Sequence, residues 1–127
     1  PNGEAGVISI FANKYLNNEK PIIYGDGEQT RDYIFVKDVI SALIKASKID
    51  ENHFLNIGTG QEKSVNDLAN SMKIQFNSGI EPTYKPAREG ELKRSVLNNA
   101  KAKRDLDWEP VYSLDDGMEA VFNWLKS

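Results

Sequence analysis

Tyr24-Gly25-Asp26-Gly27-Glu28-Gln29-Thr30-Arg31-Asp32-Tyr33-Ile34-Phe35-Val36-Lys37-Asp38-Val39 is the stretch on which the reading of this chain turns. Two glycines flanking an aspartate mark a tight turn after the short run Ile22-Ile23-Tyr24, which reads as a strand. Thr30 to Val36, rich in β-branched and aromatic residues, reads as a second strand. Asp38 is placed to cap a helix running to about Ser47, with Val39, Ile40, Leu43 and Ile44 on the face expected to be buried. Arg31 is the anomaly. A guanidinium within an apolar strand is costly unless it has a partner. An ion pair with Asp32 or Asp38 would supply one, although strand neighbours point to opposite faces and Asp32 is poorly placed for it. A bound carboxylate or phosphate would supply another, and suits the planar five-donor fork.

Upstream of this stretch, Pro1 to Gly6 reads as loop. Val7, Ile8, Phe11, Ala12, Tyr15 and Leu16 then form a helical stripe that ends at Asn17-Asn18-Glu19-Lys20-Pro21. Downstream, Phe54-Leu55-Asn56-Ile57 reads as a short strand before the turn Gly58-Thr59-Gly60. Ser64-Val65-Asn66-Asp67 has the form of an N-cap with an acidic third residue, opening a helix striped by Val65, Leu68, Ala69, Met72 and Phe76. Thr83-Tyr84-Lys85 between two prolines suggests an edge strand, and Ala87 to Lys93 a charged loop. Asn98 or Asn99 is placed to cap a short helix to Leu106. Ser113 caps the last helix, with Leu114, Met118, Val121, Phe122 and Leu125 inward. The whole is one α/β domain with several helices and short strands. Strands this short and scattered would sit more comfortably against a neighbouring domain.

Composition excludes several chemistries. With 127 residues there is room for one domain and one modest core. Hydrophobic residues at 39% and charged ones at 28% argue against wholesale disorder. There is no cysteine, so disulfides, thiol nucleophiles and cysteine metal sites are out, and the single histidine, His53, makes a Ser-His-Asp triad improbable. Net charge is −3 with basic and acidic residues interleaved, which points to neither nucleic acid nor a membrane surface. No apolar run reaches the roughly 18–20 residues of a membrane span, and the opening residues lack the marks of a signal peptide. A cytoplasmic protein is expected. The absent initiator Met hints at a cut chain.

The quoted stretch resembles the signature (Y/F)-G-x-G-x-Q-T-R-D-(Y/F)-x-(Y/F)-V-x-D-(V/L) of the extended short-chain dehydrogenase/reductase family, specifically its nucleotide-sugar epimerases. Pro86-Ala87-Arg88-Glu89-Gly90-Glu91-Leu92 resembles that family's P-x-R-x-G-(D/E) segment. Asn56-Ile57-Gly58-Thr59-Gly60 with Ser64-Val65 resembles its N-I-G-x-G-x-x-x-S-V turn, and Leu106-Asp107-Trp108 the end of its next helix. The resemblance implies that residues 1–127 are the C-terminal, substrate-binding part of an extended Rossmann-type epimerase, UDP-glucose 4-epimerase-like, with the NAD-binding domain absent from this chain. It assigns Arg31 and Arg88 to the diphosphate of a UDP-sugar and Glu91 to the nucleoside ribose, a position where aspartate is frequent. Tyr24 falls at the uracil pocket, where base stacking and core packing explain it about equally. Asp32 favours epimerases over UDP-glucuronate decarboxylases, and Gln29-Thr30 favours them over dehydratases.

Such enzymes are expected to oxidise the hexose 4-hydroxyl with NAD, let the ketosugar swing, and return hydride to the other face. The tyrosine base, its lysine and the NAD loop belong to the absent half. No catalytic residue, cofactor or metal site is therefore expected in this chain alone, and the full-length enzyme is expected to bind NAD and to be a homodimer. Tyr33 and Lys37 spell Y-x-x-x-K, but they straddle a strand end rather than sharing a helix face, so the match is read as accidental. Gly58-Thr59-Gly60 lacks the third glycine and the βαβ context of a dinucleotide site. The alternatives are a free-standing nucleotide-sugar-binding module, part of another nucleotide-sugar dehydratase or reductase, or a vestigial domain, against which both arginines speak.

Overall fold

The computed structural model describes residues 6–127, so all of the loop expected at Pro1 to Gly6 except Gly6 lies outside the described residues. In chain order the elements are α1 (Val7–Leu16), β1 (Ile22–Tyr24), β2 (Thr30–Arg31), α2 (Val36–Ala46), β3 (Lys63–Ser64), α3 (Val65–Gln75), β4 (Thr83–Lys85), α4 (Ala100–Leu106) and α5 (Leu114–Lys126). This is the expected small mixed α/β unit of several helices and short strands.

Helix periodicity builds the main core. Phe11, Ala12 and Tyr15 of α1 meet Leu68, Ala69 and Met72 of α3, with Met118 of α5 and Ile23 of β1 closing the cluster. Both α3 and α5 begin with a reciprocal capping box, Ser64 with Asp67 and Ser113 with Asp116, which satisfies the first free amides of each helix. The strands are short, and of them β1 reaches the core through Ile23. β1 pairs in parallel with β4, Ile22 opposite Thr83 and Tyr24 opposite Lys85, and β2 pairs antiparallel with β3. A second cluster gathers Ala42, Ala102, Leu106 and Trp108, with Leu55 and Ile57 against it.

Four expectations need correction. The strand expected over Thr30–Val36 is only Thr30–Arg31, because β3 offers two residues before its chain turns into α3. Asp32–Phe35 is irregular, and α2 already begins at Val36. Asp38 is therefore not a cap: it lies in the first turn, 1% exposed, and its two oxygens accept the amides of Val111 and Tyr112 at 2.9 and 3.1 Å. Of the two candidates at the start of α4, Asn99 holds the N-cap position without a side-chain cap bond and donates to Gly58 O, while Asn98 Oδ1 accepts the Ala100 amide.

The remaining corrections concern the α2 face and residues 54–57. Val36, Ile40, Leu43 and Ile44 are exposed, and the buried residues of α2 are Asp38 and Ala42. Residues 54–57 alternate outward and inward as a strand would, yet pair with no strand among the described residues, and Phe54 is 91% exposed. Both features share one cause. A stripe of apolar residues fixes which side of an element seeks cover, but nothing in residues 6–127 lies there to provide it.

Candidate functional site

Tyr24, Arg31, Arg88 and Glu91 line one cavity of about 370 Å³. Its apolar wall is the face of α1 bearing Val7, Ile10 and Phe11, residues three and four apart that share a helix side. Ile22, Ile23 and Val65 continue that wall, and Lys14 adds a third cation. Lys14 is shared with Glu19 at 3.0 Å. Three cations against two carboxylates, Glu91 and the Glu19 paired with Lys14, still favour an anion, and the apolar wall favours a flat or hydrocarbon group beside it.

Arg31 is held by backbone, not by a carboxylate. Its Nη1 donates to Thr30 O at 2.6 Å and to Leu92 O at 2.7 Å. The two acids that might have paired with it are engaged elsewhere: Asp38 with Val111 and Tyr112, and Asp32 with the 58–60 turn. Nε and Nη2 of Arg31 make no hydrogen bond among the described residues, so most of the guanidinium's donors remain for a ligand.

Arg88 comes from the exposed loop after β4, and its guanidinium carbon lies 3.8 Å from the centre of the Tyr24 ring. Cation and ring face attract one another at this separation. The Arg88 guanidinium, as hydrogen-bond donor and as charge, holds the Tyr24 hydroxyl below its ordinary range. Tyr24 is thus a platform for Arg88 at the cavity's edge. Glu91 accepts from Gln29 Nε2 at 3.3 Å, and the same amide donates to Tyr24 O at 3.1 Å. Gln29 therefore links the strand end to the loop. The sequence reading passed over its role, although its place two residues before Arg31 in the signature was the available signal. Phe11 and Lys14 were also missed as lining residues; α1 was read only as a core helix.

Tyr33 borders this cavity as well, and burial pushes its hydroxyl up, opposed by the charge of Arg31. It stands in the irregular segment before α2, whereas Lys37 is in the helix, so the two do not share a helix face. The Gly58-Thr59-Gly60 turn serves an internal acid. Thr59 and Gly60 amides donate to Asp32 at 2.9 and 3.0 Å, and the Thr59 hydroxyl at 2.6 Å. A side chain at Gly58 would meet Asp32 Oδ2 at 2.7 Å, which is why glycine is needed there. Among the described residues no group of three or more His, Cys, Asp or Glu is gathered for a metal, and no helix is long and apolar enough to cross a membrane.

The fold and cavity define a small α/β unit with a pocket that sets cationic side chains beside an apolar wall. The family model of GDP-mannose 4,6 dehydratase matches residues 3–121, and the chain belongs to that family. A Methanocaldococcus jannaschii protein, itself only provisionally named a UDP-glucose 4-epimerase, is 46% identical over 127 residues, covering all of this chain and 41% of that protein. The solved UDP-glucose 4-epimerase of Thermotoga maritima with UDP-glucose superposes with a TM-score of 0.91 at 41% identity, covering 98% of this chain and 40% of that one. The UDP-glucuronic acid 4-epimerase of Bacillus cereus, solved with UDP-glucuronic acid and NAD, gives 0.86 at 26% identity, covering 95% and 40%. These likenesses bear out the resemblance to nucleotide-sugar epimerases. The chain spans about 40% of the length of the relatives it matches.

Proposed function

We propose that this chain binds the UDP part of a UDP-sugar as the nucleotide-gripping, C-terminal portion of an NAD-dependent UDP-glucose 4-epimerase-like enzyme. The observation that carries this reading is the convergence of Arg31 and Arg88 on one cavity beside an apolar wall. The two guanidinia take the diphosphate, Glu91 the ribose hydroxyls, and the α1 wall with Tyr24 borders the base. Each arginine contributes about 1.5–3 kcal/mol as charge-assisted hydrogen bonds. In the whole enzyme this grip on the non-reacting end positions the sugar for chemistry done elsewhere.

NAD does not fit the residues present. The Thr59 and Gly60 amides, which a pyrophosphate would need, are committed to the carboxylate of Asp32, and that negative charge would repel phosphate. The reading therefore assigns NAD, the tyrosine base and its lysine to an N-terminal domain outside these residues. The exposed α2 face of Val36, Ile40, Leu43 and Ile44, and separately the exposed Phe54, support such a partner, since apolar patches are normally covered. A cytoplasmic homodimer completes the reading.

The test is calorimetric titration of UDP into the chain, alongside Arg31→Ala. Binding that weakens at least tenfold in the variant, about 1.4 kcal/mol, is expected. An affinity indifferent to Arg31 would remove the diphosphate assignment. The chain alone is expected to leave UDP-glucose unconverted, and clear formation of UDP-galactose by the pure chain would contradict the division of labour.

A further inference from the structure

The loop that brings Arg88 and Glu91 to the cavity has no apolar anchor. Every residue from Tyr84 to Arg94 is exposed, so packing does not hold the loop and polar links must. Gly25 N donates to Lys85 O at 2.7 Å where the loop leaves β4. Beyond Arg88, Gln29 reaches Glu91, Arg31 reaches Leu92 O, and Thr30 N donates to Lys93 O at 2.8 Å. The last link is of another kind. Arg94 meets Glu62 through Nε and Nη2, each 2.6 Å from a different carboxylate oxygen. This is the fork-to-fork geometry that makes an arginine–carboxylate pair directional as well as attractive. Glu62 Oε1 also accepts the Thr30 hydroxyl at 2.8 Å. One carboxylate thus ties the strand that carries Arg31 to the loop that carries Arg88 and Glu91.

We propose that Glu62 and Arg94 are positioning residues of the anion pocket, their fork fixing the loop so that Arg88 and Glu91 line the same cavity as Arg31. This role rests on the UDP-binding reading above. Neither residue borders the 370 Å³ cavity; Arg94 lines the adjoining one with Tyr24, Arg88 and Glu91, whereas Glu62 borders neither, so a loss in Glu62→Gln is the one that contact with the nucleotide does not explain. The Arg94 side chain is 76% exposed, and exposed pairs contribute little to global stability. Their effect is local: a loop held in the binding-competent geometry only part of the time lowers apparent affinity by that fraction.

Glu62→Gln, Arg94→Gln, the double variant and Arg94→Lys in the 127-residue chain test this, read by melting temperature, amide hydrogen exchange over residues 86–94, and UDP calorimetry. Melting temperatures are expected to stay together, exchange across 86–94 to quicken, and UDP affinity to fall about three- to tenfold in each glutamine variant. The double variant should lose no more than the stronger single, as for two residues acting as one unit. Arg94→Lys, which keeps the charge without the fork, should fall between. Unchanged exchange and affinity in the single variants, or losses that add in the double, would overturn the role. Failure of the unsubstituted chain to bind UDP would overturn the nucleotide reading and this role with it; it is told apart because it needs no substitution to be seen.

Discussion

Asp38 distinguishes two structural roles that a single substitution can separate. As a helix cap it would tolerate asparagine, which caps about as well as aspartate. As the buried receptor of two amides it would not. Asparagine offers one acceptor oxygen, and its NH₂ would face an N–H donor from Val111 or Tyr112. Hydrogen bonds to a charged group contribute about 1.5–3 kcal/mol each, and a stranded buried donor costs about 1–3. Asp38→Asn is therefore expected to lose about 2 kcal/mol and Asp38→Ala about 3–4, out of the roughly 5–15 kcal/mol that holds a domain of this size. Trp108 reports on the change: its Nε1 donates to the main-chain Asp38 O at 3.0 Å, which the substitutions keep, and to Ser41 Oγ at 2.9 Å, and it is 1% exposed beside the altered side chain. Urea unfolding followed by tryptophan fluorescence measures the difference directly. A loss below about 0.5 kcal/mol for Asp38→Asn, within the range of ordinary surface changes, would refute the argument that this carboxylate clamps residues 111–112 to α2.

Ser64→Ala breaks the reciprocal cap of α3 and is expected to cost about 1 kcal/mol in chemical denaturation, with no change in the fold by circular dichroism. Carbon-detected NMR titration of Glu62 should give a midpoint below the ordinary 4.5, displaced towards about 2 and stopping short of it because water screens this exposed pair, since hydrogen bonds from Arg94 and then Thr30 favour its charged form. The sign follows: a lowered carboxyl contributes above its unfolded value, and the contribution is lost as pH falls from about 4.5 towards 2, so a midpoint near 4.5 would mean the fork is not formed in solution. Leu43→Glu on the uncovered face of α2 is expected to change the stability of this chain by no more than about 0.5 kcal/mol; a multi-kcal loss would show that the face is part of its own core.

The sequence carried the helices well and the long-range anchors poorly. Val65, Leu68, Ala69 and Met72 announced both a helix and its buried side, and Ser64 with Asp67 announced its start, because cap and stripe are local and act within a few residues. The same stripe logic misread α2. Ile40, Leu43 and Ile44 are periodic, but periodicity names a face and not the body that covers it. Phe54–Ile57 failed as a strand for a related reason, since a ladder needs a partner and pattern alone does not supply one. Asp38 was legible as a special acid, yet its partners lie 73 and 74 positions away. In the site, Arg31 stood out because a lone cation in an apolar run demands explanation. Glu62, Arg94 and Gln29 did not, because ordinary polar residues in polar stretches carry no such signal until the loops are folded together.

The most direct test of the central claim is a crystal structure of this chain with UDP. The account predicts the diphosphate bridging Arg31 and Arg88, with oxygens about 2.7–2.9 Å from their guanidinium nitrogens, and the nucleoside lying along the α1 wall. UDP seated elsewhere, or in that cavity with its phosphates turned away from both arginines, would contradict it.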